Sequence, residues 1–268
     1  MMQRALLIGI GSGLVSSLLF VSITRASLFG IFATFFLAPL PLAIAGLGWG
    51  ATAGLAAAAT GTLVIVGLGA MPAATFYAAV IGLPMAALTY LLMLSRQVQA
   101  ADPNETLTLE WYPPGRIVAY AALWGGALAA IVLLMVAYDV ETLHKAMRQN
   151  LDKMLSQGGA LAPTIKRPLT EADKDAFVKL MVTALPGALA TSWMILAILN
   201  LWLAGHAARI SGRLIRPWPD LAGITLPPKT PIVFAAAALA TFLGGMPGLI
   251  ASGFAFALLS AYTLVGLA

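Results

Sequence analysis

Two histidines, no cysteine and a thin scatter of acids and bases are all that this chain offers to chemistry. Without cysteine there are no disulfides, no thiolate metal sites and no thiol redox steps. His144 and His206 stand alone, outside the HExxH spacing that sets two imidazoles and a carboxylate around a hydrolytic zinc. Gly9-Ile10-Gly11-Ser12-Gly13 has the glycine density of a nucleotide loop, yet no strand precedes it and it lies in an apolar helix. The P-loop pattern is missing, so the chain is not expected to hydrolyse nucleotides. Serine and threonine are frequent, but none has a His or Lys partner at a depth that would activate it. A carboxylate pair for intramembrane proteolysis is missing too, and Asn104-Glu105-Thr106 is a glycosylation sequon by pattern only. These residues point away from an enzyme and imply no catalytic residue, cofactor or metal.

The reason is the solvent for which the chain is built. Of its 268 residues 60% are hydrophobic and 9% charged, and its mean hydropathy is +0.93. A soluble domain carries roughly 25% charged residues to wet its surface. So few charges cannot cover a globule, and the surface must therefore be lipid. The net charge of +5 is spread singly between apolar runs, which fits loops facing anionic headgroups rather than nucleic acid. The fold class is all-α: a polytopic transmembrane helical bundle forming one domain over residues 1–268.

A hydrocarbon core of roughly 30 Å takes about 20 apolar residues to cross as a helix. Runs at 5–24, 28–46, 51–68, 73–94, 117–138 and 185–204 qualify, and 231–243 and 249–268 are split by Gly244-Gly245-Met246-Pro247-Gly248. The expectation is seven or eight spans. The first is read as a retained helix, because no small-residue cleavage site precedes Arg25. The acid-free triplet Arg209, Arg213 and Arg216 after span six places the N-terminus in the cytoplasm, in a bacterial inner membrane. Residues 139–177 are a polar insertion between spans five and six. There Val140, Leu143, Met147, Leu151 and Met154 make one apolar stripe after an Asp139 cap, and Thr170-Glu171-Ala172-Asp173 reads as a variant capping box. The insertion is expected to be an extracytoplasmic helical hairpin, either a connector resting on lipid or a lid over a cavity.

Small residues recur at helical spacing. Gly9, Gly13 and Ser17 share one face and Gly50, Gly54 and Ala58 another. With Asn200, placed to hydrogen-bond across helices, they form a face for packing within the chain or for a partner's helix. Tyr120 and Trp124 share a face as well. Arg25 sits at the expected outer mouth, in reach of headgroups or solute, and the Trp193 indole N–H needs a partner inside span six. With Tyr77 and Tyr138 these two are the candidate solute contacts.

Three stretches carry a resemblance. Trp111-Tyr112-Pro113-Pro114-Gly115-Arg116, the later Trp193, Leu199-Asn200-Leu201, Arg216-Pro217 and Leu226-Pro227, and the run from Pro39-Leu40-Pro41 to Gly50 resemble the YybS-like family of uncharacterised bacterial membrane proteins. That family is distantly similar to the S-components of energy-coupling-factor vitamin transporters. The resemblance implies a protein that binds a small molecule from outside and pairs through small-residue faces with a separate transmembrane and ATPase module. Two readings stand: a solute-binding transport component without its own motor, or a non-transporting accessory or scaffold subunit of a larger membrane complex. The lipid bilayer is a partner in both.

Overall fold

Hydrocarbon accepts no backbone hydrogen bond, so each apolar run has to close its own ladder. In the computed structural model the described residues, 2–22, 36–98, 108–156, 169–220 and 223–266, accordingly lie mostly in helices. These are α1 Met2–Ser22, α2 Pro39–Trp49, α3 Ala51–Gly67, α4 Met71–Leu92, α5 Pro114–Val136, α6 Val140–Ser156, α7 Glu171–Ile210, α8 Thr230–Ala240 and α9 Gly245–Gly266. Five of them, α1, α4, α5, α7 and α9, are long and apolar enough to cross a membrane. The expected seven or eight spans also counted α2, α3 and α8, whose described helices are 11, 17 and 11 residues long; residues 28–35 of the expected second span lie outside the described residues. A two-stranded antiparallel ribbon, β1 Ser95–Val98 with β2 Thr108–Trp111, interrupts the helices where the sequence was read as a polar interval. Its register puts Arg96 opposite Glu110, and the pair bonds at 2.7 Å.

The chain groups into two compact units. Met1–Ala121 with Ile195–Pro227 make unit 1; Ala122–Met194 with Pro228–Leu267 make unit 2.

Unit 1 is organised by backbone approaching backbone. A Cβ on Gly9 would come within 2.5 Å of the Ala53 carbonyl oxygen, and one on Gly13 would strike the Ala57 carbonyl oxygen. α1 and α3 therefore touch along a stripe with no side chain between them. Gly54 lies 3.3 Å from the Gly46 Cα, and Gly82 packs on Ala58 at 3.5 Å, measured from an added Cβ. The small faces at Gly9, Gly13, Gly54 and Ala58 are thus covered from within the chain. Gly50 serves otherwise. At φ 86° and ψ −178° it turns α2 into α3 in a region that L side chains rarely enter, and its N–H closes on Gly46 O at 3.1 Å. Ser17 is buried and donates to Leu14 O, while the buried Ser16 donates to Ala38 O and accepts from the Tyr77 hydroxyl at 2.7 Å. In α4 the Leu83 N–H reaches back five residues to Ala78 O, a wide turn just before Pro84, which has no N–H of its own.

In unit 2 the two helix starts read in the polar insertion are capped, while residues 157–168 between those helices lie outside the described residues. The Thr142 N–H bonds Asp139 Oδ1 at 2.6 Å, capping α6. Thr170 and Asp173 exchange backbone-to-side-chain bonds of 3.0 and 3.2 Å, the reciprocal box that starts α7. Nothing then stops α7. It continues through the expected start of span six for 40 residues, about 60 Å, twice a hydrocarbon thickness. Leu143 and Leu151 of α6 bury against Val178 and Val182 of α7, Leu133 of α5 and Met246 of α9. Above this layer Arg148, with an 18% exposed side chain, pairs with Glu171 and Asp175, and Lys174 bridges Glu171 at 2.9 Å and Asp152 at 3.3 Å. Deeper in the unit, Gly125 meets the Ala190 carbonyl and Gly253 accepts Pro186 at 3.4 Å from an added Cβ. The break before α9 rests on Gly244 and Gly245, at φ 67° and 59°.

Three outcomes follow from these contacts. Gly9→Ala should already destabilise the protein in detergent, by about 1–3 kcal/mol as for an overpacked core, because the obstacle is a backbone carbonyl. Gly54→Ala and Leu14→Ala, the latter at a 42% exposed lipid-facing position, should cost much less; thermal unfolding of the three variants checks the order, and an equal response would remove the close approach.

Arg148→Gln should speed amide exchange along α6, whereas Lys145→Gln, which removes one pair exposed on both sides, should leave it unchanged.

The clasp between α6 and α7 should also depend on pH. A hydrogen bond from Lys174, its charge and the nearby Arg148 hold Glu171 below the usual carboxylate range; bonds to Glu171 and Asp152 hold Lys174 above its ordinary value. The Glu171 contribution is present above the ordinary carboxylate pKa and is lost as pH falls through the lowered one. That of Lys174 is present below the ordinary lysine pKa and is lost as pH rises through the raised one. Spin labels on Gln149→Cys and Lys179→Cys, in this cysteine-free chain, should show their narrowest distance distribution between those limits and broaden in acid.

Candidate ligand cavity at the arginine-rich end of unit 1

Two of the sequence stretches singled out above, 111–116 and 216–227, come together in space. The instrument is Gly115. A Cβ there would collide with the Thr225 carbonyl oxygen and lie 3.3 Å from the Leu226 N, so only glycine lets the start of α5 rest on the segment before Pro227. Tyr112 N–H bonds Leu94 O at 2.9 Å, tying the same stretch to the end of α4. Pro113 and Pro114 then open α5 where the N–H groups they lack have no partner to lose.

Between these segments lies a cavity of about 130 Å³. α5 contributes Pro114, Ile117 and Val118, at one-turn spacing, and α7 contributes Ile198, Leu201, Trp202 and Gly205, again one helix face. Leu47 of α2 and Leu92 of α4 complete the apolar wall. The loop after α7 adds Trp218 and one charge, Arg216. Arg216 is 8% exposed, its Nη1 donates to Leu92 O at 2.7 Å, and its Cζ lies 6.0 Å from the Trp111 ring centroid. Burial lowers its pKa from the ordinary value; a guanidinium nevertheless keeps its proton at neutral pH. Among the described residues it has no carboxylate within ion-pair distance.

Other cations at this end take the same form. Arg209 stands over Trp218 at 5.6 Å, Arg213 over Trp49 at 5.6 Å, and Arg116 over Tyr112 at 5.4 Å. A cation on a ring face is held by the ring's quadrupole while its in-plane N–H groups stay available. Between Trp202 and Trp218 sits His206, with ring centroids 4.5 Å from each, and its buried Nδ1 has no hydrogen-bond partner among the described residues. Next to the ribbon a second hollow of about 380 Å³ is lined by Arg96, Glu110, Trp111, Tyr112 and Arg116. The arrangement can enclose an apolar group and counter a negative charge beside it.

The residues expected to touch solute do not assemble here. Tyr77 is buried in the core of unit 1 and spends its hydroxyl on Ser16. Trp193 is buried in unit 2, and Tyr138 of the same unit is 79% exposed. Arg25 lies outside the described residues. Asn200 does bond across the unit, with Nδ2 donating to Phe36 O at 3.0 Å and Leu196 O at 2.9 Å, and its buried Oδ1 is unpaired among the described residues. Tyr120 and Trp124 are exposed. What sequence reasoning missed is Trp202, His206, Arg216 and Trp218 as one group. A signal existed in the i,i+4 spacing of Trp202 and His206, but the loop that returns Trp218 and Arg216 to them has no periodicity to read.

No curated protein and no solved structure matches the chain. One family does, described as "Predicted membrane protein (DUF2232)", over residues 14–268. That match includes both segments that meet at Gly115 and nearly every helix described above, and the chain belongs to this family of membrane proteins.

Proposed function

We propose that the protein is a solute-binding component of a membrane transport system, without a motor of its own, and that it is not an enzyme. The observation that carries this reading is the cavity of about 130 Å³ with apolar walls and a single buried guanidinium. A site for chemistry would need a nucleophile, acid or base against the ligand; this lining offers binding contacts. Its size is near that of an apolar cavity of about 150 Å³ known to accept benzene.

Likeness to the S-components then extends to binding without a motor, and no further. With Arg209, Arg213 and Arg216 on the cytoplasmic side and residues 139–175 outside, the cavity faces the inner leaflet of a bacterial inner membrane. A ligand would be met from within, in contrast to the capture from outside that the S-component manner implies. A second reading, an accessory subunit of a larger membrane complex, is favoured by α8. Its Ile232 and Leu239 are each 70% exposed, and Phe242 just after it is 86% exposed, a surface for lipid or for a partner's helix.

Maleimide labelling of Gln149→Cys and Ser211→Cys should mark position 149 from outside and 211 only after permeabilisation; the reverse pattern would overturn the orientation. The purified chain should show no ATPase activity and no proton- or sodium-driven uptake in proteoliposomes, while mass spectrometry of the gently purified protein should find a co-purifying small molecule. Gradient-driven uptake by the chain alone would refute the absence of a motor. A protein partner retained without any small molecule would favour the accessory reading.

A further inference from the structure

We propose that the cavity at the arginine-rich end of unit 1 is a site for a phosphate-bearing amphiphile, its apolar end among Val118, Leu201 and Trp202 and its phosphate on the guanidinium of Arg216, which stands over Trp111 of the neighbouring hollow that Arg116 lines. This rests on reading the cavity as a ligand site and is independent of any transport step.

Three observations carry it. First, cation and apolar wall belong to one enclosure: Arg216 and the helix faces of α5 and α7 line the same space. A soluble anion would leave those walls without a partner, and a hydrocarbon would leave the guanidinium without one. Second, Arg216 is buried more deeply than interfacial anchoring requires. Arginines that merely pin a helix end keep the charge in the headgroup layer, as the exposed Arg209 and Arg213 do. Arg216 instead gives one N–H to Leu92 O and keeps further in-plane donors that meet no acceptor among the described residues. Third, arginines outnumber the acids of these segments, Glu110 and Asp220. Arg116, Arg209, Arg213 and Arg216 have no ion pair among the described residues, and each stands over an aromatic ring. A guanidinium is a planar fork of donors that meets phosphate oxygens two at a time. Glu110, the acid in the neighbouring hollow, is bound to Arg96 and does not oppose them. The amphiphile has two sources, a phospholipid of the bilayer or a soluble phosphate ester with an apolar group, and phenyl phosphate added to the probes below separates them: phosphatidylglycerol binding more tightly than phenyl phosphate identifies the lipid, and the reverse order the soluble ester.

The full chain in dodecylmaltoside is titrated by native mass spectrometry with dioctanoyl-phosphatidylglycerol, with dioctanoyl-phosphatidylcholine, with phenyl phosphate and with glycerol phosphate. The phosphatidylglycerol should bind at least about fivefold more tightly than the phosphatidylcholine of equal chain length, the value of one arginine near an anionic headgroup. Arg116→Gln, at an exposed position that folding does not need, should reduce that preference by about fivefold; Arg216→Gln should abolish it where the variant folds. Val118→Phe, which fills the cavity, should weaken both lipids and leave any glycerol phosphate binding unchanged. Equal affinity for the two lipids, or a preference indifferent to both Arg116→Gln and Val118→Phe, would overturn the site. Binding of glycerol phosphate as tight as phosphatidylglycerol would also overturn it, since the cavity would then contribute nothing. A confirmed lipid preference with no transported solute would defeat the transport reading and leave this site standing.

Discussion

Lipid tails are as apolar as leucine, so helices in a bilayer gain nothing by hiding leucine from them, and cohesion has to come from closeness of fit. In this protein closeness is reached at glycine. Gly9 and Gly13 bring α1 onto carbonyls of α3, Gly54 meets Gly46, and Gly125 brings α5 onto a carbonyl of α7. Gly115 does the same for the segment before Pro227. Each removes a Cβ where two main chains would otherwise be held apart, and each contact gathers many weak dispersion terms at short range. Large apolar side chains are meanwhile turned outward, as at Leu7, Leu63 and Leu134, at 67, 66 and 55% exposure.

The same solvent dictates how polar groups are handled. Thr62, Thr75, Thr89 and Thr183 each return a hydroxyl proton to the carbonyl four residues back on their own helix, satisfying the group where water cannot. Against this local habit, the bonds that reach across unit 1 stand out: Tyr77 to Ser16, Asn200 to Phe36 O and Arg216 to Leu92 O. The first two fix packing. The third sets a guanidinium beside an apolar wall.

Outside the spans, cohesion is of the ordinary aqueous kind. α6 has an apolar stripe against α7 and a polar face on which Arg148 is gathered by acids from both helices. Both helix starts are closed by side-chain caps, at Asp139 and at Thr170 with Asp173. These signals are local, and they were legible before any coordinates. The length of α7 was not: the capping box and the apolar run were read as two features, and only their uninterrupted ladder makes them one helix.

The sequence by itself determined the solvent, and with it the helical class, because charge content and run length are sums over residues that need no knowledge of partners. It also determined the glycine stripes, since the spacing of small residues is set by the helix turn. Which surface those stripes would meet was not in the spacing. Only the tertiary structure decided that α1 meets α3 through Gly9 and Gly13, and that α2 turns into α3 at Gly50. The site shows the same division. The stretch 111–116 and the arginines after α7 are visible as residues, but the chain between them is long and Gly115 rests on Thr225 only after folding. Tyr77 and Trp193 had the right chemistry for a ligand contact; both are buried, and Tyr77 gives its hydroxyl proton to Ser16. A cavity is a property of what fails to touch, and no count along one chain reports it.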